Sequence, residues 1–212
     1  MVEYYRKRAS GYDEIYETEA WRPELAALRD WLLTQATGKR ILELAAGTGY
    51  WTEIASRAAK AITATDINAE TLAIASGRNL GERVVLLQGN AWRLPSLGRF
   101  DCGMAHLWWS HVRTQDRTRF LARFASYLED RATLLMIDQN HVPGLGVPIT
   151  RWDDDGNSYQ NRWLENGERF EVIKNHPTPA ELERSLAPAC DDVRILRMTH
   201  FWAVSARLRP AA

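Results

Sequence analysis

Apolar positions along the chain alternate between two periods. Tyr5, Arg8, Ala9, Tyr12, Ile15 and Tyr16 share one helical face, and Leu25, Leu28 and Leu32 repeat the spacing after Pro23. Two helices are therefore expected ahead of a first strand, the short apolar run at 40–45. The turn Gly47-Thr48-Gly49 follows it, and Trp51, Ile54, Ala55 and Ala58 mark the next helix. Further strand runs lie at 61–66, 83–88, 100–106 and 132–138, with helical patterns between them at Leu72 and Ala75 and at Phe120, Phe124 and Leu128. Five strands separated by helices predict a doubly wound α/β fold, a mostly parallel sheet covered on both faces.

Past residue 138 the rhythm changes. Residues 158–164 and 169–173 read as two strands joined by Glu165-Asn166-Gly167, a small inserted hairpin. Thr178-Pro179-Ala180-Glu181 carries an N-cap, a proline at the first helical position and a capping-box carboxylate. Strands at 193–199 and 201–208 almost abut, so the last strand is expected to be antiparallel. No repeat or linker divides the chain, which is expected to form one domain over 1–212. Its parts are an N-terminal helical segment (1–37), a core (38–140), the hairpin (141–176) and a C-terminal helix with two strands (177–212).

Composition narrows the function classes. The chain has 212 residues, enough for a sizeable core, and its 27 Lys and Arg balance 27 Asp and Glu. A net charge of zero gives no field to draw the chain to nucleic acid or an anionic membrane, so neither is expected as a partner. Cys102 and Cys190 are too far apart in sequence for a zinc or redox motif and read as idle thiols. Neither a signal-type apolar segment nor a spanning run is present, which suggests a cytoplasmic protein. Nine Trp exceed both the five Phe and the seven Tyr, an excess expected in part to line a site.

In a doubly wound sheet, ligands bind beyond the carboxyl ends of the strands, where strand order reverses. Residues 43–52 occupy the first such turn. Gly47 and Gly49 admit close backbone approach, and the following helix presents free N–H groups. Asp66 ends the second strand, where a carboxylate can accept both hydroxyls of a ribose. A dinucleotide fingerprint would need a third glycine where Thr52 stands, which disfavours NAD or FAD.

The stretch Glu43-Leu-Ala-Ala-Gly47-Thr-Gly49 resembles the acidic-x-G-x-G-x-G motif of class I S-adenosylmethionine-dependent methyltransferases of the small-molecule type. Asp66 after strand two, Asn90-Ala91 after strand three and Leu94-Pro95 extend the likeness over about 38–140. Two positions depart from the pattern: Ala45 replaces the motif's first glycine, and Asn90 stands where Asp is more frequent.

The resemblance implies a Rossmann-like methyltransferase fold, S-adenosyl-L-methionine as cofactor and a set of roles. Glu43 would organise the turn, with Ala45, Gly47 and Gly49 beside the methionine part. Asp66, with Ile67 next to it, would hold the ribose, and Asn90 and Ala91 would meet the adenine. Trp92 would stack there or serve the core. In small members of the family an N-terminal segment folds over the cofactor as a lid, which here would bring Tyr5 or Tyr12 with Arg8 to the methionine carboxylate. The same helix docked passively on the sheet is the alternative.

Acceptor residues in the family follow strand four, here His106-Leu107-Trp108-Trp109-Ser110-His111. His106, then His111, are the candidate catalytic bases, weighed against structural histidines. Trp108 and Trp109 point in different directions on any regular element, so one of them is expected to face an acceptor. Tyr159 of the hairpin is a further substrate-binding candidate. His141 is a weaker catalytic candidate, and His176 and His200 read as structural.

The Pro-Pro tetrad of nucleic-acid and glutamine amino-methyltransferases is absent, which favours a small, aromatic acceptor methylated on O or N. Asp138-Gln139-Asn140 lacks the metal-dependent catechol pattern, so no metal is expected. Another transferase or an oxidoreductase on the same fold, or a non-catalytic nucleoside-binding module, are the rivals. Oligomeric state is left open, a homodimer among the options.

Overall fold

The computed structural model describes residues 1–210; Ala211 and Ala212, the end of the expected C-terminal segment, lie outside the described residues. The chain opens with helix α1 (Val2–Arg8), which continues into a 3-10 stretch, Ala9–Glu17, instead of the single long helix expected. Gly11 disfavours a continuous α-helix there. The Asp13 carboxylate is also drawn out to the Thr48 hydroxyl and the Arg78 guanidinium. Helix α2 (Arg22–Ala36) follows, burying Leu25, Leu28 and Leu32.

The core alternates β1 (Arg40–Leu44), α3 (Tyr50–Ser56), β2 (Ala61–Asp66), α4 (Ala69–Ser76), β3 (Val84–Gln88), β4 (Phe100–His106), α5 (Arg117–Ala125) and β5 (Leu128–Gln139). A short β6 (Arg151–Trp152), β7 (Ser158–Trp163) and β8 (Arg169–Ile173) form a separate antiparallel sheet, one strand more than the expected hairpin. Helix α6 (Pro179–Leu186), β9 (Cys190–Arg197) and β10 (Phe201–Leu208) complete the chain. Thr178 and Glu181 form the capping box.

The seven-stranded sheet has the order β3-β2-β1-β4-β5-β10-β9. All its central pairings are parallel, and β10 runs antiparallel to both β5 and β9. Strand order reverses between β1 and β4, which makes their carboxyl ends the crevice of the fold.

Period-2 alternation splits the strand residues between two apolar layers. Ile41, Leu135, Ile137, Phe201 and Ala203 pack with α2 and α3, while Leu42, Leu44, Leu134, Met136, Trp202 and Val204 pack with α5 and α6. Cys102 and Cys190 are buried free thiols. Among the described residues, no helix is long and apolar enough to cross a membrane.

Candidate active site

Beyond β1, Ala45 takes up positive φ (54°) and so do Gly47 (59°) and Gly49 (78°), which turns the chain sharply into α3. For Ala45 that backbone state costs about 1 kcal/mol, because its Cβ crowds the following carbonyl. Gly49 is the N-cap of α3, and a Cβ there would lie 2.9 Å from that of Ala75. A Cβ on Gly47 would meet no protein atom within 4 Å, since the residue borders open space.

That space is a cavity of about 180 Å3 lined by Met1, Val2, Tyr5, Tyr12, Ala45, Gly47, Asp66, Ile67, Asn68, Thr71, Gly89, Asn90, Ala91, Trp92, His106, Leu107, Trp108 and His111. Asp66 holds its shape: Oδ2 accepts from the Gly47 amide (2.9 Å) and Oδ1 from that of Asn68 (2.8 Å). Burial pushes the Asp66 carboxyl up, and those backbone bonds oppose the shift. Asn90 Oδ1 accepts from the Trp92 amide (2.9 Å), a local turn that sets the two residues at the cavity edge.

A second cavity of about 280 Å3 adjoins the first, and Tyr5, Tyr12, Leu107 and His111 line both. Its other walls include Arg8, Trp21, Gln139, Asn140, His141, Gln160, Arg162, Lys174, His176 and His200. Two joined spaces of this size suit small molecules. Leu107 holds φ at +52° just beyond β4, so a strained residue stands in the shared wall.

Hydrogen bonds fix the state of that wall. His111 Nδ1 lies 2.6 Å from the Ile173 carbonyl oxygen, which can only accept, so Nδ1 carries the proton. Nε2 then accepts from the Tyr5 hydroxyl at 2.9 Å. Burial, reinforced by the nearby Lys174 charge, lowers the His111 pKa to about 3. His106, edge-on to Trp51, is likewise lowered to about 3 by burial, and neither ring nitrogen has a partner. Burial thus disfavours the protonated form of both candidate bases. His106 also borders the first cavity alone. Burial raises the Tyr5 and Tyr12 phenols above their ordinary value, so both are protonated.

Below the second cavity, Lys174 Nζ meets Asp138 Oδ1 at 2.9 Å and Ser110 Oγ at 2.8 Å, with Asp138 Oδ2 accepting from the Ser110 amide. Burial depresses Lys174, with Asp138 opposing. Burial alone would raise Asp138, but the adjacent ammonium holds it below the usual carboxylate range.

Several expected site residues stand elsewhere. Trp109 is fully buried in the layer with Phe120 under the Arg117 guanidinium, because the 3-10 turn Trp109–His111 sends adjacent side chains to opposite sides; only Trp108 reaches a cavity. Tyr159 borders neither cavity: it bonds Asp153 and lies beneath Arg151, on the β7 face opposite Gln160 and Arg162. Arg8 lines the second cavity and not the first. Glu43 is buried beneath the turn, accepting from Thr52 Oγ1 at 2.6 Å, and Gly49 sits behind the cavity at the start of α3. His176 and His200, expected to be structural, border the second cavity.

Residues 41–131 match the family described as "Methyltransferase domain". The structure of DhpI in complex with SAH is 26% identical over 99% of this chain and 96% of that one, with a TM-score of 0.78. The chain carries a methyltransferase domain of the class I fold. A DhpI-SAM-HEP complex matches the methyltransferase equally, at 26% identity over 97% of this chain and 95% of that one, also with a TM-score of 0.78. A S-adenosylmethionine-dependent methyltransferase from Clostridium acetobutylicum shares the fold at 18% identity and a TM-score of 0.62, over 97% of this chain and 99% of that one. No curated protein matches the methyltransferase in sequence. The open space at Gly47 lies beside the Asp66 carboxylate.

Proposed function

We propose that this methyltransferase holds S-adenosylmethionine in the first cavity and methylates an O or N atom of a small acceptor in the second. The observation that carries this reading is the shared wall: Tyr5, Tyr12, Leu107 and His111 border both spaces, so an atom passing between them crosses there. DhpI, similar over nearly its whole length, has been solved with SAM and a second molecule, HEP, together.

When bound, the cofactor supplies an electrophilic methyl group on a sulfonium. Asp66 is placed to accept the ribose hydroxyls, with Ile67 against it. Asn90, Ala91 and Trp92 border the adenine end, and Ala45, Gly47 and Tyr12 the methionine end. Residues 1–37 act as a lid over a single domain. Positioning carries most of the rate enhancement, because an in-line displacement asks mainly for alignment. Tyr5, its proton committed to His111, orients the acceptor at the crossing without removing a proton from it. Trp108 bounds the approach, and the aromatic rings of Tyr5, Tyr12 and Trp21 accommodate a planar acceptor.

Calorimetry with SAH tests the cofactor half: binding is expected, and Asp66→Ala is expected to weaken it at least about tenfold, the loss of charge-assisted hydrogen bonds. SAH formation from SAM over a panel of small hydroxy and amino compounds tests the other half. A chain that ignores SAH is no methyltransferase of this kind, and SAH binding without turnover on any acceptor favours a nucleoside-binding module.

A further inference from the structure

Although the chain is neutral overall, the charges around the second cavity are not balanced. Its wall contains Arg8, Arg162 and Lys174 and no carboxylate side chain. Lys174 is neutralised from behind by Asp138. Among the described residues, Arg8 and Arg162 pair with no carboxylate. Arg162 Nη2 donates to the neutral amide oxygen of Gln160 at 2.5 Å, and its Nε is buried with no partner at all.

Desolvating guanidinium N–H groups without a counter-charge is costly, and a fold retains such a group where something else supplies the anion. The two arginines come from different elements, α1 and β7, and the charges of both act on Tyr5 and Tyr12 in the shared wall. Both side chains therefore border the second cavity close to the crossing. Two planar guanidinium forks lining one cavity match the chemistry of an oxyanion.

We propose that the acceptor carries an oxyanion, a carboxylate or a phosphoryl group, seated between the Arg8 and Arg162 guanidiniums in the second cavity. The proposal rests on the reading of that cavity as the acceptor site. It adds a selection rule: the anion anchors the molecule and thereby sets which of its atoms faces the methyl donor. It also assigns β7 a part in recognition through Arg162 rather than Tyr159.

The test is calorimetry on the full-length protein saturated with SAH. The probes are methylphosphonate, inorganic phosphate, acetate and benzoate, set against the neutral acetamide and benzamide. One anion class is expected to bind and the amides are not; whether the phosphoryl or the carboxylate probes bind decides between the two sources. Arg162→Gln is expected to weaken the bound anion at least about tenfold, as for one lost charge-assisted hydrogen bond, with SAH affinity within about threefold of wild type. Arg8→Gln gives an independent second variant.

SAH binding together with equal affinity for amides and anions, or no anion binding at all, overturns the proposal and leaves the cofactor reading standing. The same holds if both variants bind the anion as wild type does. Failure to bind SAH overturns both.

Discussion

Glu43 shows how one buried side chain carries a pH-dependent cost. It is 1% exposed, and burial pushes its carboxyl up to about 8, the Thr52 hydroxyl opposing. Its pKa in the folded chain lies above the ordinary 4.5. The contribution to stability is therefore complete below about pH 4.5 and lost as pH rises toward 8, because the unfolded chain ionises first. Glu43→Gln keeps an acceptor for Thr52 without the ionisation. The variant is expected to gain up to about 4 kcal/mol over wild type at pH 8 and little at pH 4.5, read from urea midpoints at both pH values. A gain of equal size at both would show that the carboxyl does not titrate in this way.

At the scale of elements, the N-terminal segment is held by contacts to three others. Arg78, just past α4, pairs with Asp13 of the Ala9–Glu17 stretch and with Glu53 of α3, and donates to the Thr48 carbonyl at 2.6 Å. Lys7 of α1 reaches Glu168 in the β7–β8 turn at 2.6 Å, and Arg6 reaches Glu70 of α4 at 3.4 Å. These partly exposed pairs add little to global stability but fix the position of the segment. Arg78→Met is expected to speed amide exchange several-fold across residues 9–17 while leaving the β1, β4 and β5 amides unchanged, as hydrogen exchange by mass spectrometry would show. Unchanged exchange at 9–17 would mean that Arg78 does not hold the segment.

The same elements show what a sequence can and cannot convey. The turn from β1 into α3 is legible because its signals, Gly47, Gly49 and the helix pattern from Trp51, lie within ten residues of one another. The wall of the second cavity is not, because α1, the end of β5, β7 and the residues before β10 meet there only in three dimensions. Strand parity decides β7: the alternation is visible in sequence, but whether Tyr159 or Arg162 turns inward depends on docking against the core. Adjacency misleads at Trp108 and Trp109 for a similar reason, since a 3-10 turn after a residue of positive φ separates them. The long helix expected from Tyr5 to Tyr16 breaks where Asp13 finds partners 35 and 65 positions away.

Taken over the whole molecule, buried histidines oppose Glu43. Burial lowers His106 and His111 to about 3 and His176 to about 4, all beneath the ordinary 6.5. Their contribution to stability is complete above about pH 6.5 and is lost as pH falls through that window, with a slope of up to about 1.4 kcal/mol per pH unit for each. Denaturation midpoints from pH 4 to 9 are therefore expected to peak near neutrality and to fall on the acid side. A flat profile from pH 7 to 4.5 would contradict the burial of the imidazoles.

The nine tryptophans, notable first as a count, occupy three kinds of place. Trp51, Trp109 and Trp202 are buried in the two layers, with Trp31 packed partly buried against one of them, and Trp152 and Trp163 stand more than half exposed on the small sheet. Trp92 and Trp108 border the first cavity, and Trp21 borders the second. The protein thus carries a native fluorophore at each cavity. Emission from the cavity indoles responds to occupancy, and emission from the interior indoles responds to unfolding. The two exposed rings supply a background that a soluble quencher such as iodide removes.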